Sequence, residues 1–320
     1  MTYNLRLEGE LGFPDAPTAR AAFDTMMKDR EDNPVLRMAT VEGSRIRFAF
    51  SGELSYSNAS DRVDGAEFGV EKALALAITG AVTFAHEDGL KKTMTALGRP
   101  FWQKRWNEGK IGFHEGKPND LLVAHMAALA LAPGSRVLVP LSGKSVDLRW
   151  LVAQGHEVVG IEMVINAIGD FFADEGLDHW AHAHKLGASQ AFSANGITLV
   201  CEDIFKVDVA ALGKFDAVYD RAALVALEPS TRAAYVDLCR SLLKDDGRSL
   251  LIAFSYAGGG TPLGPPWSID EATVRALFSA ESVAMLSSRS TSVSPRLAAA
   301  GVRSVEEAAY VVRRTHDAAR

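Results

Sequence analysis

The residues with the clearest capacity for chemistry stand in the run VLVPLSGKSVDLRWLVAQGHEVVGIE, which covers residues 137 to 162. This run predicts a strand, a turn that contains Gly143, a helix, and a second strand that ends on Glu162. Glycine lets the backbone come close to a ligand. An acid at the end of the second strand of a doubly wound sheet reaches the ribose hydroxyls of a nucleotide-like cofactor. Gly143 and Glu162 are therefore predicted to bind such a cofactor.

The composition of the turn separates two kinds of cofactor. A dehydrogenase would show the same spacing of turn and acid, but this turn has one glycine and lacks the G-x-G-x-x-G pattern that binds a pyrophosphate. A nicotinamide-dependent oxidoreductase is therefore the disfavoured alternative. S-adenosyl-L-methionine has no phosphate to bind, so it suits the turn better.

Two further apolar runs end in charged residues. Asp203 follows the run that ends at Val200, where its carboxylate could meet an adenine amino group while Ile204 packs on the ring. A plain helix cap is the competing interpretation of Asp203. The run FDAVY ends in Asp220 and Arg221, which places charge at the carboxyl end of a buried strand. Because open parallel sheets bind ligands at that end, these side chains are candidates for one site.

The elements that must position these residues form an alternating pattern. From Arg136 onward, short apolar runs alternate with helical patterns, which predicts an α/β fold with a doubly wound parallel sheet. VLVPL, FDAVY and LLIAF are apolar throughout, as expected for strands that are covered on both faces. The helix after the Gly143 turn is predicted to end at Gly155 with a left-handed cap.

The first 98 residues follow another pattern. ARAAFDTMMKDR predicts a helix, PVLRMATVEGSRIRFAFSG predicts two strands joined at residues 42 to 44, and EFGVEKALALAITGAVTFAHE predicts a second helix. The length of 320 residues exceeds that of a usual single domain. Gly98-Arg99-Pro100 is a suitable junction. We therefore predict a small N-terminal α+β unit at residues 1–98 and a larger domain at residues 99–320.

Composition narrows the possible functions. A net charge of −6 and a pI near 5.8 disfavour nucleic-acid binding, which needs clustered Lys and Arg. No run approaches a membrane span and the start lacks a signal-peptide pattern, so we expect no membrane contact and a cytoplasmic location.

Cys201 and Cys239 are expected to be buried, inert thiols. His179, His182 and His184 lack carboxylate or cysteine neighbours, which predicts a solvated loop and no metal site.

Five motifs in order resemble the thiopurine S-methyltransferase family: FWQKRWNEGKIGFHEGKP, the run at residues 137–162, EDIF, GKFDAVYDRAALVALEP, and SY followed by GPPW. The resemblance covers about residues 101–312. It implies a class I methyltransferase fold, Rossmann-like with seven strands, that holds S-adenosyl-L-methionine at the carboxyl ends of the first strands. It also implies that Trp102 and Trp106 fold over this cofactor and that Leu141 lies beside it in the first-strand turn.

By the same resemblance, Glu162 binds the ribose, Asp203 and Ile204 occupy the adenine positions, and Arg221 lies beside cofactor and acceptor. The implied reaction is methyl transfer by in-line displacement to a small-molecule thiol, such as sulfide, methanethiol, an aryl or heterocyclic thiol, or to a selenol. A nearby cation raises the thiolate fraction of a thiol, so Arg221 is the candidate catalytic cation. His114 is the candidate base because imidazole titrates near neutral pH. Its alternative role is to order a lid.

The sequence departs from the family pattern in ways that leave the acceptor open. Ala257 replaces an acid that often follows the SY pair, and GGGTPL lengthens the loop before GPPW, which borders the acceptor pocket. A halide/thiol methyltransferase is therefore a close alternative, and a non-catalytic binding module is a more distant one. The family has no counterpart to the first 98 residues. These could dimerise the protein or cap the acceptor site, and the sequence does not decide between the two.

Overall fold

The computed structural model describes residues 2–12, 16–28, 33–55, 79–86, 91–95, 99–258 and 264–314, and the single positions 63, 66, 67, 69, 70 and 73. The chain divides into two compact units, Met1–Lys104 and Arg105–Arg320. The division falls within helix Arg99–Asn107, a little beyond the junction predicted at Gly98. Within the described parts of the chain, no helix combines the length and apolar character that a membrane crossing requires. The cytoplasmic location stays a prediction.

The first unit contains a five-stranded antiparallel sheet. Its elements are β1 (Thr2–Gly12), α1 (Ala16–Met27), β2 (Thr40–Glu42), β3 (Arg45–Ser55), β4 (Thr79–His86) and β5 (Lys91–Thr95), with strand order β2-β3-β1-β4-β5. Along β1, the buried Leu5 and Leu7 alternate with the exposed Arg6 and Glu8. Buried side chains of α1 pack with the apolar face of the sheet in one hydrophobic cluster. One sheet face is thus part of a core and the other is charged.

One sequence prediction in this unit is wrong. The run EFGVEKALALAITGAVTFAHE, predicted as a helix, forms strand β4 in its second half. Val82 and Phe84 are buried, whereas Thr83 and Ala85 between them are half-buried, which is the alternation of a strand with one face in the core. Valine, threonine and phenylalanine favour strands. The positions that the structure describes in the first half of the run are helical, so the helical pattern stops before β4.

The second unit contains a nine-stranded sheet with the order β13-β14-β12-β11-β6-β7-β10-β9-β8. Its strands are β6 (Arg136–Pro140), β7 (Glu157–Glu162), β8 (Ala183–Leu186), β9 (Ser189–Ala194), β10 (Ile197–Cys201), β11 (Phe215–Arg221), β12 (Leu243–Gly258), β13 (Glu281–Thr291) and β14 (Val302–Arg314). The five strands from β12 to β10 are parallel, and β14 is antiparallel to both β12 and β13. This arrangement confirms the predicted α/β class, with seven strands in a doubly wound core.

A hairpin of β8 and β9 adds two antiparallel strands at the edge next to β10. The solvated loop predicted for the histidines is therefore wrong: His179–His182 forms a 3-10 turn and His184 lies on β8. The error arose because β8 is short and exposed, so it carries no apolar run. Among the described residues, no group of side chains forms a metal site there.

Helices cover both faces of this sheet. Helix α2 (Arg99–Asn107) contains the division between the two units, and the helices of the second unit are α3 (Asp120–His125), α4 (Asp147–Ala153), α5 (Ile165–Ala173), α6 (Val209–Leu212), α7 (Arg232–Leu242), α8 (Glu271–Leu277) and α9 (Pro295–Ala299). Leu138 packs in one core cluster, whereas its neighbours Val137 and Val139 pack in another, so β6 is buried on both sides as predicted. Gly155 follows α4 with a φ of +90°, which confirms the predicted left-handed residue at the end of this helix.

Candidate active site

The turn after β6 has a strained backbone. Leu141 has a φ of +46° and Gly143 a φ of +52°. Positive φ in a non-glycine residue costs about 1–3 kcal/mol and persists where the surrounding structure fixes it, often at functional sites. Here the N–H of Ser142 donates to the carbonyl of Ile161 at 3.0 Å, so the turn is fixed to the end of β7. The strain at Leu141 is thus held by the neighbouring strand.

Gly143 lies against an aromatic ring. A Cβ atom at this position would lie 3.1 Å from Cζ2 of Trp106, so glycine leaves the room that the indole occupies. Trp106 is buried and makes an edge-to-face contact with Phe113, with ring centroids 5.9 Å apart. The structure therefore brings Trp106 to the predicted cofactor turn. Trp102 belongs to the first unit, where it contacts Phe101, and its place over the cofactor stays a prediction.

Glu162 ends β7 with a buried carboxylate that is fixed by two backbone groups. Oε2 accepts a hydrogen bond from the N–H of Gly143 at 2.9 Å, and Oε1 accepts one from the N–H of Val164 at 2.7 Å. These two bonds fix the orientation of the Glu162 carboxylate at the end of β7. The structure brings Glu162 and Gly143 together, as the spacing of the motif predicts.

Asp203 and Ile204 lie just after β10. Oδ1 of Asp203 accepts a hydrogen bond from the N–H of Phe205 at 3.1 Å and caps the short 3-10 helix Ile204–Lys206. The capping interpretation of Asp203 is therefore confirmed. The side chain of Ile204 is buried in the hydrophobic core. Contact of either residue with an adenine ring stays a prediction.

Arg221 ends β11 and is held by groups from the segment before α3. Its Nη2 forms an ion pair with Oε1 of Glu115 at 2.6 Å and donates to the carbonyl of Phe113 at 3.2 Å. The next residue, Ala222, has a φ of +62°, so the chain turns sharply after the arginine. Sequence reasoning missed Glu115, because nothing in the motif FHEG shows which distant cation its acid meets.

From the half-buried Glu115, a chain of hydrogen bonds continues through three buried residues. Oε2 of Glu115 accepts from Nδ2 of Asn119 at 3.2 Å, and the N–H of Asn119 donates to Oδ1 of Asp147 at 2.8 Å. Oδ2 of Asp147 accepts from the hydroxyl of Tyr219 at 2.9 Å. Burial, with the nearby Asp147 carboxylate, raises the pKa of Tyr219 well above its usual value, so its hydroxyl remains a donor. Sequence reasoning also missed these three residues.

His114 lies between Phe113 and Glu115 and is partly buried. Burial lowers the pKa of its imidazole, and the nearby cation Lys144 lowers it further. Asp174 acts in the opposite direction, and Arg221 adds a smaller lowering effect. At neutral pH the imidazole is therefore mostly neutral, which is the form that accepts a proton.

Asp220, the neighbour of Arg221, belongs to the core. It accepts hydrogen bonds from the N–H of Leu224 at 3.1 Å and from the hydroxyl of Tyr235 at 2.7 Å. Burial raises its pKa to about 6.

Burial also raises the pKa of the Cys239 thiol, which confirms the prediction of a buried, inert thiol there. Cys201 is only half-buried, with Sγ 3.9 Å from the carbonyl of Met163.

The sheet order, the strained turn after β6 and the fixed acid at the end of β7 define the class of this protein: it is a class I methyltransferase. The sequence model of the thiopurine S-methyltransferase family matches residues 97–315. The chain belongs to the thiopurine S-methyltransferase family, and its cofactor is S-adenosyl-L-methionine. The residues before position 97 lie outside this match.

Similar proteins include a thiopurine S-methyltransferase of Pseudomonas entomophila (strain L48), which is 42% identical over 211 residues, 66% of this chain and 96% of that protein. The thiopurine S-methyltransferase of Xanthomonas campestris pv. campestris (strain 8004) is 41% identical over 216 residues, 67% of this chain and 98% of that protein. Among solved structures, the 1,6-didemethyltoxoflavin-N1-methyltransferase of Burkholderia thailandensis with bound S-adenosylhomocysteine has a TM-score of 0.46 and 17% identity, and the match covers 69% of this chain and 88% of that one.

Proposed function

We propose that this methyltransferase transfers the methyl group to the sulfur of a small-molecule thiol. The observation that carries the proposal is the position of Arg221, a largely buried cation at the carboxyl end of β11. Among the residues that the structure describes, none pairs with its Nε or Nη1, so these N–H groups are left to meet an anion. A thiol has a pKa near 8.5, and a neighbouring cation increases its ionised fraction at neutral pH.

The residues around the turn fit the cofactor. The missing Cβ of Gly143 makes room for the indole of Trp106, whose aromatic face suits a positive sulfonium. The fixed Glu162 carboxylate suits a pair of ribose hydroxyls. When bound, S-adenosyl-L-methionine supplies a methyl carbon on a positively charged sulfur, open to in-line displacement. The residues that we propose to hold it are Trp102, Trp106, Leu141, Gly143, Glu162, Asp203, Ile204 and Arg221.

His114 is the residue that we propose to take the proton of a neutral thiol. Its lowered pKa keeps the imidazole neutral at pH 7, so it can accept that proton, and Arg221 then stabilises the thiolate that forms. General-base assistance of this kind contributes roughly 100-fold to 10,000-fold to a rate. Alignment of acceptor and donor by the enclosing site contributes more, on the order of 7–11 kcal/mol.

A panel assay for S-adenosylhomocysteine tests the acceptor class. The panel contains sulfide, methanethiol, an arylthiol, a thiopurine, benzeneselenol, chloride and iodide, with NAD⁺ as a binding control in calorimetry. We expect turnover with at least one thiol or selenol at a higher kcat/KM than with either halide. Faster turnover with a halide would identify a halide methyltransferase instead. Cofactor binding without turnover of any sulfur or selenium acceptor would overturn the proposal.

The first unit is the subject of a separate proposal with two forms. It either joins two copies of the chain or caps the acceptor site, and its charged sheet face is compatible with both. Removal of residues 1–98, followed by light scattering and measurement of the acceptor KM, distinguishes them. Dimerisation predicts a change in mass, whereas capping predicts a change in KM at constant mass. If neither quantity changes, both forms are wrong.

A further inference from the structure

We propose that Glu115 is a positioning residue that fixes the guanidinium of Arg221 for the acceptor. The acceptor part of this inference rests on the proposed function, whereas the fixing of Arg221 does not. Nη2 of Arg221 is held between two oxygens, Oε1 of Glu115 at 2.6 Å and the carbonyl oxygen of Phe113 at 3.2 Å. The guanidinium is planar, so contacts at one of its nitrogens restrict the orientation of the whole group. The orientation of the N–H groups on Nε and Nη1 is then fixed as well.

Glu115 is itself held in place by the side chain of Asn119. Its Oε2 accepts from Nδ2 of Asn119 at 3.2 Å. Oδ1 of the same amide accepts from the N–H groups of Leu121 and Leu122 at 3.0 and 3.3 Å, where Asn119 caps α3. The cap decides which end of the amide faces Glu115, because the oxygen is occupied by the helix. The buried Asn119 therefore offers Glu115 a donor in a defined place.

The contacts close into a circuit on one strand. Asn119 donates its N–H to Asp147, and Asp147 accepts the hydroxyl of Tyr219. Tyr219 and Arg221 are two residues apart on β11, so their side chains leave the strand on the same side. We call Arg221, Glu115, Asn119, Asp147 and Tyr219 the β11 circuit. It begins and ends on the same face of β11.

The β11 circuit is less exposed to solvent than an ordinary surface ion pair. The side chains of Arg221 and Glu115 are 14% and 36% exposed, and Asp147 is 2% exposed. In the same segment, Lys117 and Asp120 form an ion pair at 2.7 Å whose side chains are 69% and 55% exposed. Exposed pairs of that kind contribute little, because water screens the charges. The Lys117 pair is therefore a matched control for the Glu115 pair.

Glu115→Gln tests the positioning role by replacing one carboxylate oxygen with an NH2 group. If the new amide oxygen faces Arg221, its nitrogen faces Nδ2 of Asn119, and two donors oppose each other. Loss of one charge-assisted contact predicts an acceptor KM about 10-fold higher. The affinity for S-adenosylhomocysteine, measured by calorimetry, should fall by a smaller factor than the acceptor KM rises, because Glu162 and the Gly143 turn are not altered and Arg221 is only one of the residues proposed to hold the cofactor.

A second substitution should rescue the first. In the double variant Glu115→Gln with Asn119→Asp, the new carboxylate accepts from the glutamine amide while it still caps α3, since Asp is as good a cap as Asn. The hydrogen-bond pattern is restored and the negative charge moves one step along the circuit. We expect most of the loss in acceptor KM to be recovered. Lys117→Gln should leave the acceptor KM unchanged.

Nitrogen-15 NMR of the full chain gives a readout that needs no acceptor. A guanidinium whose rotation is hindered gives resolved Nη signals, and comparison with Arg221→Lys assigns those of Arg221. We expect these signals in the native protein and in Lys117→Gln, their loss in Glu115→Gln, and their return in the double variant. Unchanged signals in Glu115→Gln would overturn the inference. Lost signals with an unchanged acceptor KM would keep the positioning of Arg221 and instead refute its contact with the acceptor, as assigned under the proposed function.

Discussion

The carboxylate of Glu162 accepts the N–H of Gly143 at 2.9 Å, although the two residues are 19 positions apart in the sequence. The acid of β7 therefore fixes the turn of β6 in addition to any bond that it makes to a cofactor. Its other oxygen accepts the N–H of Val164. A single side chain thus joins the carboxyl ends of two neighbouring parallel strands, where we propose that the cofactor binds.

Glu162→Ala should weaken both the fold and cofactor binding. Two buried N–H groups lose their acceptor, and each unsatisfied buried donor costs about 1–3 kcal/mol. We therefore expect the free energy of unfolding to fall by at least about 2 kcal/mol, and the affinity for S-adenosylhomocysteine to fall at least about 10-fold. Urea unfolding and calorimetry measure the two quantities.

Glu157→Ala is the control for this prediction, because Glu157 begins the same strand and forms an exposed ion pair with Arg136. It should leave the cofactor affinity unchanged and cost less than about 1 kcal/mol of stability. An unchanged affinity for S-adenosylhomocysteine in Glu162→Ala would contradict the ribose-binding role of Glu162.

Gly143→Ala should separate two reasons for glycine in the turn. Its φ of +52° penalises any side chain, and the added Cβ would also lie 3.1 Å from Trp106. Gly134 has a φ of +78° with nothing within 4 Å of its added Cβ, so Gly134→Ala measures the backbone cost alone. That cost is about 1 kcal/mol. We expect Gly143→Ala to lose more stability than Gly134→Ala and to change the tryptophan fluorescence, whereas equal losses and equal spectra would refute the contact with Trp106.

The pattern of apolar runs predicted the large sheet because its central strands are buried on both faces. Val137, Leu138 and Val139 are all core residues, so β6 is apolar throughout and easily recognised. The exposed strand β8 has no such run and was missed. In β4, a helical pattern just before the strand concealed the alternation of Val82 and Phe84. Sequence reasoning succeeds where burial dictates residue type and fails where it does not.

The candidate site shows the same limit. Gly143 and Glu162 could be paired in advance, because the strand–turn–helix–strand unit fixes where a residue at each end must lie. Glu115 and Arg221 could not, since their contact depends on how the segment after α2 crosses the end of β11. Phe113, which also contacts Arg221, precedes it by 108 residues. No local period relates positions so far apart, and the contact is a property of the folded chain alone.

The pH dependence of activity should report His114 and its neighbour Lys144. Burial first, and then Lys144, lower the pKa of His114 below 6.5. A base acts when unprotonated, so kcat/KM should rise as the pH increases through this lowered pKa. Lys144→Gln removes a cation and should move the acid limb of the profile to higher pH. His114→Gln should abolish that limb.

The acceptor must be a thiol that stays protonated from pH 4 to 8, so that its reaction needs the base and its own ionisation does not shape the profile. For comparison, Lys110→Gln removes an exposed lysine that pairs with Glu108, and the limb should not move. A profile that is the same in Lys144→Gln and in the unmodified protein would show that another group controls the limb. If the acid limb persists in His114→Gln, His114 is not the base, and only the lid-ordering role remains for it.

Asp220 should make the fold less stable as the pH rises from about 4 to about 6. Burial raises its pKa from 3.8 to about 6, so between these values the folded state binds the proton and the unfolded state releases it. The stabilisation from Asp220 is thus complete below pH 3.8 and is lost as the pH rises through 6, on the order of 3 kcal/mol in total. Asp220→Asn should remove this slope in urea unfolding across the window. Asp270, whose pKa is lowered from 3.8 by hydrogen bonds that it accepts from Thr273, should contribute a slope of opposite sign below about pH 4, outside this window, and Asp270→Asn should remove it. If Asp220→Asn leaves the slope unchanged, the carboxyl is already ionised in the folded core, and the bonds from Tyr235 and Leu224 outweigh its burial.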